Sequence, residues 1–187
     1  MVLQKLVALC LFAAIFSAAA DVPVLDTNGD RIVSGAQYYI KPAIVGRGGA
    51  LTLVARKNGK PCPKYVGQVE HPDQKGTPVK FMLAPVTNEG WLAHITFQTS
   101  DSCSKLTMWG LGDRENVSGR RLITSGSELL VEVLFKIVKS NGLYHILWCT
   151  SEDHNPQCGS AGILSEDGVS LLALDGPELP FVFEKVK

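Results

Sequence analysis

The sequence predicts an all-β fold, either a sandwich or a closed barrel. Helical periodicity is almost absent, and short alternating or β-branched runs recur along the chain. Gly, Asn, Asp and Pro separate these runs at intervals typical of all-β domains. The predicted strands are, in order, RIVSG, QYYIKPAIV, ALTLVARK, PVKFML, LAHITFQ, KLTMWGL, LLVEVLFKIV, YHILWC, SLLAL and FVFEKV.

Individual elements carry further expectations. The run ELLVEVLFKIVK is apolar enough for a helix, but its Val and Ile residues and its flanking SGS and SNG turns favour strands. Asp26 and Asn28 predict a turn near the start of the domain, because both side chains can accept hydrogen bonds from amides two residues on. Tyr38 and Tyr39 are neighbours in a predicted strand, so at most one of them lies in the core.

The first 20 residues have the pattern of a secretory signal peptide. Lys5 precedes an apolar run from Leu6 to Phe16, and small residues then lead to an expected cleavage site before Asp21. The apolar run is too short to span a bilayer of about 30 Å, so we expect no membrane anchor. The sequence therefore predicts residues 21–187 as one domain, secreted or vacuolar through the secretory pathway.

Composition excludes several classes of function. The formal charge is 18 − 18 = 0, and loss of the leader with Lys5 makes it 17 − 18 = −1, so no basic face for nucleic acid is expected. No nucleophile elbow, metalloprotease motif or phosphate loop occurs. The four histidines are scattered, and His94 and His145 fall inside predicted strands. We expect no enzyme, no cofactor and no metal.

Four cysteines remain after the leader and its Cys10 are removed, and four thiols allow three pairings. We favour Cys62 with Cys103 and Cys149 with Cys158, because an Asn-Pro turn can bring the ends of the second loop together. The competing interpretation is a metal site built from Cys149, Asp153, His154 and Cys158. It lacks a C-x-x-C spacing and lies in an exported chain.

A weak internal repeat refines the fold. GALTLV at 49–54 and SKLTMW at 104–109 share Leu-Thr-apolar at an offset of 55 residues, and VSLLAL follows at 169–174. The offset is close to one third of the predicted domain. Three copies of a four-strand unit are what a β-trefoil requires.

A resemblance extends over almost the whole mature chain. The motifs that carry it are PVLDTNGDRIVSGAQYYI, GGALTL, Cys62-Pro63, GTPVKF, SCSKLTMWGL, FKIVKSNGLYHILWC, CGSAGI, GVSLLAL and PFVFEKV. In this order they resemble the plant Kunitz-type family of soybean trypsin inhibitor and miraculin-like proteins. The resemblance implies a β-trefoil, with a six-stranded barrel, a hairpin cap and pseudo-threefold symmetry. It also implies two disulfides at the four cysteines and a monomer.

The resemblance also implies a function. Inhibitory relatives offer the loop between the fourth and fifth strands to a serine protease, and here that segment is Met82 to Asn88. The expected partner is thus a target endopeptidase. Matching inward from GTPVKF places the primary specificity residue near Val86, and matching outward from Glu89-Gly90 places it near Leu83. The predicted reactive segment is Leu83, Ala84, Pro85 and Val86.

Two features of this segment depart from the trypsin-directed pattern. Neither register offers Arg or Lys to a trypsin pocket, and Lys80 falls within a predicted strand, so we expect a serine protease other than trypsin. Many inhibitory relatives hold the loop with an Asn side chain from the N-terminal segment, and Ser34 occupies that place as loop support. An ordinary connection in a non-inhibitory storage or defence binding protein is the alternative.

Two further surface features are candidates. Asn116 heads the single Asn-x-Ser/Thr triplet and is a candidate glycan acceptor. Arg120 and Arg121 are interpreted as a solvated basic pair. A third possibility is that the protein inhibits an amylase or a cysteine protease through a loop other than the reactive segment.

Overall fold

The computed structural model describes residues 21–57, 59–62, 64–82, 84–100, 103, 107–126, 134–149 and 158–187. The predicted leader, Leu83 and the centre of the 149–158 loop lie outside them. The described part of the chain contains no helix long and apolar enough to cross a membrane.

Thirteen strands account for the regular structure of these residues. They are β1 (Tyr38–Pro42), β2 (Leu51–Val54), β3 (Lys64–Gln68), β4 (Val79–Met82), β5 (Leu92–Phe97), β6 (Trp109–Arg114), β7 (Arg121–Ser125), β8 (Phe135–Ser140), β9 (Leu143–Cys149), β10 (Cys158–Ser160), β11 (Gly162–Glu166), β12 (Val169–Ala173) and β13 (Phe181–Lys185).

Six antiparallel strands close a barrel. Their order is β9, β13, β1, β4, β5 and β8, and the pairing of β8 with β9 completes the circle. Closure removes the exposed edges that a row of short strands would otherwise present. Within the described residues, the short β10 alone extends this sheet, along β9.

Three hairpins, β2–β3, β6–β7 and β11–β12, form a cap on the barrel. Their second strands pair with one another, as the register partners Leu171 with Gly67, Ala173 with Leu122 and Tyr65 with Thr124 show. One barrel strand, one hairpin and a second barrel strand thus occur three times in chain order. This is the predicted β-trefoil, and the fold class is confirmed.

The sequence repeat leads into the first strand of a cap hairpin in only two of the three units. GALTLV ends in β2, and SKLTMW ends at Trp109, the first residue of β6, so both lead into first strands of hairpins. VSLLAL instead coincides with β12, the second strand of its hairpin. The third match in the predicted repeat is therefore wrong.

The core is built from aromatic side chains contributed by all three units. Trp109 meets Phe135 and Phe81 meets Phe183 edge to face, each with ring centroids 5.6 Å apart. Such side chains each stabilise the fold by about 1.5–3 kcal/mol when fully buried. Tyr38 is completely buried while Tyr39 is only partly so, as the strand alternation predicts.

Both predicted disulfides are present, Cys62–Cys103 and Cys149–Cys158. The first closes a separation of 41 residues and the second one of 9, which on the loop-entropy model corresponds to about 4 and about 2.7 kcal/mol. Because Cys149 and Cys158 bond each other, they are not free to ligate a metal, and the competing metal interpretation is wrong. Its other two members lie outside the described residues.

Arg120 corrects the interpretation of a solvated arginine pair. Its side chain is buried, with 8% of the residue exposed, and the guanidinium donates to the carbonyls of Ile163, Ala173 and Leu174 at 2.9–3.1 Å. Burial lowers the pKa of Arg120 from its ordinary value. A Cβ at Gly176 would overlap the guanidinium, so glycine there leaves the space it needs. Arg120 thus ties β6–β7 to β11–β12.

Candidate functional site

The predicted reactive segment lies in the connection between β4 and β5, two neighbouring strands of the barrel. Strand β4 arrives from the cap hairpin β2–β3, and β5 runs on to the next cap hairpin, β6–β7. The end of β4 and the start of β5 therefore point away from the cap. This places the connection at the open end of the barrel.

The N-terminal segment holds this connection through main-chain hydrogen bonds. The Val24 N–H donates to the Thr87 carbonyl at 2.9 Å, and the Thr87 N–H donates to the Ile32 carbonyl at 3.0 Å. Val24 and Ile32 are completely buried in the barrel core. Thr87 is thus pinned on both sides to residues that the core fixes.

The far end of the connection is fixed in the same way. The N–H of Glu89 donates to the Val22 carbonyl, and the N–H of Gly90 donates to the Ile137 carbonyl of β8, both at 2.8 Å. Gly90 has a φ of 76°, a conformation that glycine adopts without steric penalty. Asn88, which precedes this turn, is buried. The Thr87-Asn88-Glu89-Gly90 run is therefore a rigid base for the connection.

The predicted specificity residues differ in how they are held. Pro85 is exposed and its carbonyl accepts the Ser34 N–H at 2.9 Å, while Ala84 is half-buried. Val86 is half-buried and forms an antiparallel bridge with Val33. Leu83 lies outside the described residues. Pro85 is thus exposed, while its carbonyl and the backbone of Val86 pair with the N-terminal segment.

Ser34 supports the connection through its main chain. Its side chain is exposed, and its hydrogen bond to Pro85 comes from the main-chain N–H. The loop contact that the structure shows for Ser34 is therefore made by its main chain. Alternation in RIVSG, with Ile32 facing the core, is the signal that could have indicated main-chain pairing.

Apolar side chains flank the connection on the solvent side. Met82, Trp91 and Leu92 are 49%, 42% and 38% exposed, respectively. Met82 and Leu92 lie on one face of the β4–β5 pair, since Met82 is opposite His94 and Leu92 is two residues before it. Lys136 of β8 is the register partner of Leu92. We call Met82, Trp91 and Leu92 the apolar flank.

Charge near the site agrees with the sequence prediction. Lys80 lies within β4 (Val79–Met82), as expected. No Arg or Lys follows it until Lys105. A trypsin pocket, whose buried carboxylate selects Arg or Lys, therefore finds no matching side chain between Phe81 and Gly90.

Comparison with known proteins decides the family. The family model for trypsin and protease inhibitors of the legume Kunitz type matches residues 24–185. The chain belongs to this Kunitz family. The predicted resemblance is confirmed.

Three proteins illustrate how the Kunitz family resembles this chain. Kunitz type trypsin inhibitor 104 of Medicago truncatula is 40% identical over 176 residues, covering 87% of each chain. An alpha-amylase/subtilisin inhibitor of Oryza sativa subsp. japonica is 30% identical and covers 97% of this chain and 94% of its own. The double-headed arrowhead protease inhibitor A, solved in complex with two trypsins, superposes with a TM-score of 0.74 at 26% identity, covering 88% of this chain and all of that one.

Proposed function

We propose that this protein inhibits a serine protease other than trypsin, by presenting residues 82–88 to the protease cleft as a substrate that turns over slowly. The observation that carries the proposal is the main-chain pairing of Pro85 and Thr87 with the N-terminal segment. A loop already held in its bound shape loses little entropy on docking. After cleavage at Leu83 this pairing would hold the new N-terminal end, and the pairing of β4 with β5 would hold the other end, which favours religation over release.

The chemistry of the loop favours an apolar specificity pocket. Leu83 and Val86 are the two candidates for the primary specificity position, and both are aliphatic. Val86 is half-buried and its backbone is paired with Val33, so its side chain is less available to a deep pocket. We therefore assign the primary position to Leu83. Chymotrypsin-like and subtilisin-like proteases accept such a residue.

The apolar flank supports the same class of target. Met82 precedes the loop in sequence and Trp91 and Leu92 follow it, and all three have exposed apolar side chains. Large apolar side chains at the rim of a binding loop contribute when a partner removes them from water. The rice relative is an alpha-amylase/subtilisin inhibitor by name, and it is similar over nearly its whole length. A subtilisin-like protease is the first candidate.

The decisive experiment is a panel of trypsin, chymotrypsin, subtilisin, papain and an α-amylase, each titrated with the purified, disulfide-bonded protein. We expect inhibition of subtilisin or chymotrypsin, with slow nicking at one bond between Met82 and Asn88 and retained binding. Trypsin should keep its activity at the same concentrations.

Three results would count against the proposal. Full activity of all five enzymes at micromolar protein would favour a storage or defence binding protein of the same fold. Inhibition of papain or the amylase that survives replacement of Pro85 and Val86 by glycine would place the activity on another loop. Rapid cleavage at several bonds between Met82 and Asn88 would show that the loop is an ordinary substrate.

The route out of the cell is part of the proposal. The predicted leader and two disulfides fit a secreted or vacuolar protein, since disulfides form and persist in oxidising compartments. We propose a monomer whose role is defence against a digestive protease. Sequencing the N-terminus of the exported protein tests the route, and Asp21 is the expected first residue.

A further inference from the structure

The β6–β7 turn presents the acceptor of an N-linked glycan, and we propose that Asn116 carries one. Asn116-Val117-Ser118 is the one Asn-x-Ser/Thr triplet with a non-proline middle residue in the sequence. The triplet falls between the end of β6 at Arg114 and the start of β7 at Arg121. The proposal goes beyond protease inhibition and depends on the secretory route proposed above.

The turn is fixed from below by Glu115. Its carboxylate accepts the N–H of Val117 at 2.8 Å and the N–H of Ser118 at 2.6 Å, and its main chain pairs with Arg120. These hydrogen bonds from the backbone amides of Ser118 and Val117 lower the pKa of Glu115 to about 2, so the carboxylate stays charged at neutral pH. Arg120, two residues after Ser118, is buried and fixes the end of the turn. The triplet is thus held by the Glu115 carboxylate and by the Ser118 hydroxyl, which accepts the Arg120 N–H at 3.3 Å.

All three residues of the triplet project into solvent. Asn116 and Ser118 are exposed, and the Val117 side chain is 94% exposed. None of the hydrogen bonds found within the described residues uses the Asn116 amide group. A bulky surface group on this nitrogen therefore displaces no packing. The first sugar would also shield the exposed isopropyl group of Val117 from water.

The position of the turn keeps a glycan clear of the proposed protease contact. The β6–β7 hairpin belongs to the cap, and Arg120 packs it against β11 and β12. The loop between β4 and β5 lies at the open end of the barrel, held by the N-terminal segment. One protein can therefore carry the sugar and bind a protease at the same time.

The transfer is a substitution at an anomeric carbon. The donor is a lipid diphosphate-linked oligosaccharide of the secretory compartment. The Asn116 Nδ2 forms a bond to C1 of the first sugar, the C1–O bond to phosphate breaks, and the lipid diphosphate leaves with the electron pair. One amide proton is released, and no redox partner is needed.

The test is mass spectrometry of the full chain, expressed with its own leader in plant cells. We expect a protein that begins at Asp21 and is heavier than its polypeptide by one glycan, and that returns to the polypeptide mass, with Asn116 converted to Asp, after an N-glycosidase that accepts plant glycans. Asn116→Gln and Ser118→Ala should lose the added mass. Ser118→Thr should keep it, and Asn28→Gln, an exposed asparagine outside the triplet, should be unaffected.

Two results would overturn the inference. A secreted protein that begins at Asp21 and has the bare polypeptide mass shows that the route is used and the site is not. A chain that keeps its leader and carries no sugar overturns the glycan and the secretory route together. Neither result affects inhibition, because bacterially produced, refolded protein without sugar should inhibit the same protease to within about twofold.

Discussion

The main-chain N–H of Ser34 donates to the Pro85 carbonyl at 2.9 Å. Since this donor does not depend on the side chain, we expect Ser34→Ala to inhibit the target protease to within about twofold of the natural chain. Ser34→Asn exchanges the hydroxyl for an amide that can both donate and accept, and should tighten inhibition by up to about tenfold. The test is to measure the inhibition constant and the melting temperature of each variant and of the natural chain. Loss of more than tenfold in an equally stable Ser34→Ala protein would show that the hydroxyl holds the loop.

The primary specificity position can be located by introducing a lysine, which trypsin selects, at each candidate position. Leu83→Lys should convert the protein into a trypsin inhibitor, because lysine then faces the carboxylate of the trypsin pocket. Val86→Lys is the matched control and should not, since Val86 is half-buried and bridged to Val33. Inhibition of trypsin by the Val86 variant alone would reverse the assignment.

The apolar flank should contribute to affinity without deciding specificity. Met82→Ser and Leu92→Ser each remove aliphatic surface beside the loop, and we expect each to weaken inhibition by about three- to tenfold. Val45→Ser, at a fully exposed valine in the β1–β2 connection on the cap side, is the control and should change nothing. Unchanged constants for both flank variants would confine the contact to the loop itself. The dissociation rate, measured by surface plasmon resonance, should account for most of the change.

Arg120 should be a major contributor to stability. Arg120→Met keeps a long side chain but leaves the carbonyls of Ile163, Ala173 and Leu174 without their donors. We expect a loss of about 3 kcal/mol, or roughly 6–12 °C in melting temperature for a domain of this size. Arg114→Met, at an exposed arginine 4.0 Å from Asp175, is the control and should stay within about 0.5 kcal/mol. Equal effects of the two variants would contradict the buried role.

The sequence predicts the local features of this protein well. Strand alternation gives the barrel strands and the burial of Tyr38, and the Asp26 turn forms as expected, with its carboxylate accepting the amides of Asn28 and Asp30. Each of these depends on residues close in the chain. Their physical causes are therefore readable from short motifs.

Long-range packing accounts for what the sequence did not predict. Arg120 and Arg121 precede and begin β7, and alternation sends their side chains to opposite faces, but only the docking of β11–β12 determines that Arg120 meets carbonyls instead of water. RIVSG was predicted as a strand, yet it forms isolated bridges, one of them between Val33 and Val86 of the candidate loop. Alternation in RIVSG indicates that the segment pairs but does not identify its partner, and the Arg120-Arg121 segment does not identify the carbonyls that Arg120 meets.

Glu115 gives the last prediction, a stability that depends on acid pH. Its pKa is about 2 in the folded protein against 4.5 for the ordinary group, so its contribution is complete above pH 4.5 and is lost as the pH falls towards 2. Glu115→Gln should therefore melt below the natural chain at pH 6, and the difference should shrink to nothing near pH 2. Calorimetry between pH 2 and 7 measures this, with Glu70→Gln, at an exposed carboxylate, as control for the loss of one charge. A difference that stays constant with pH would show that packing of the side chain, and not its two amide hydrogen bonds to the charged form, stabilises the turn.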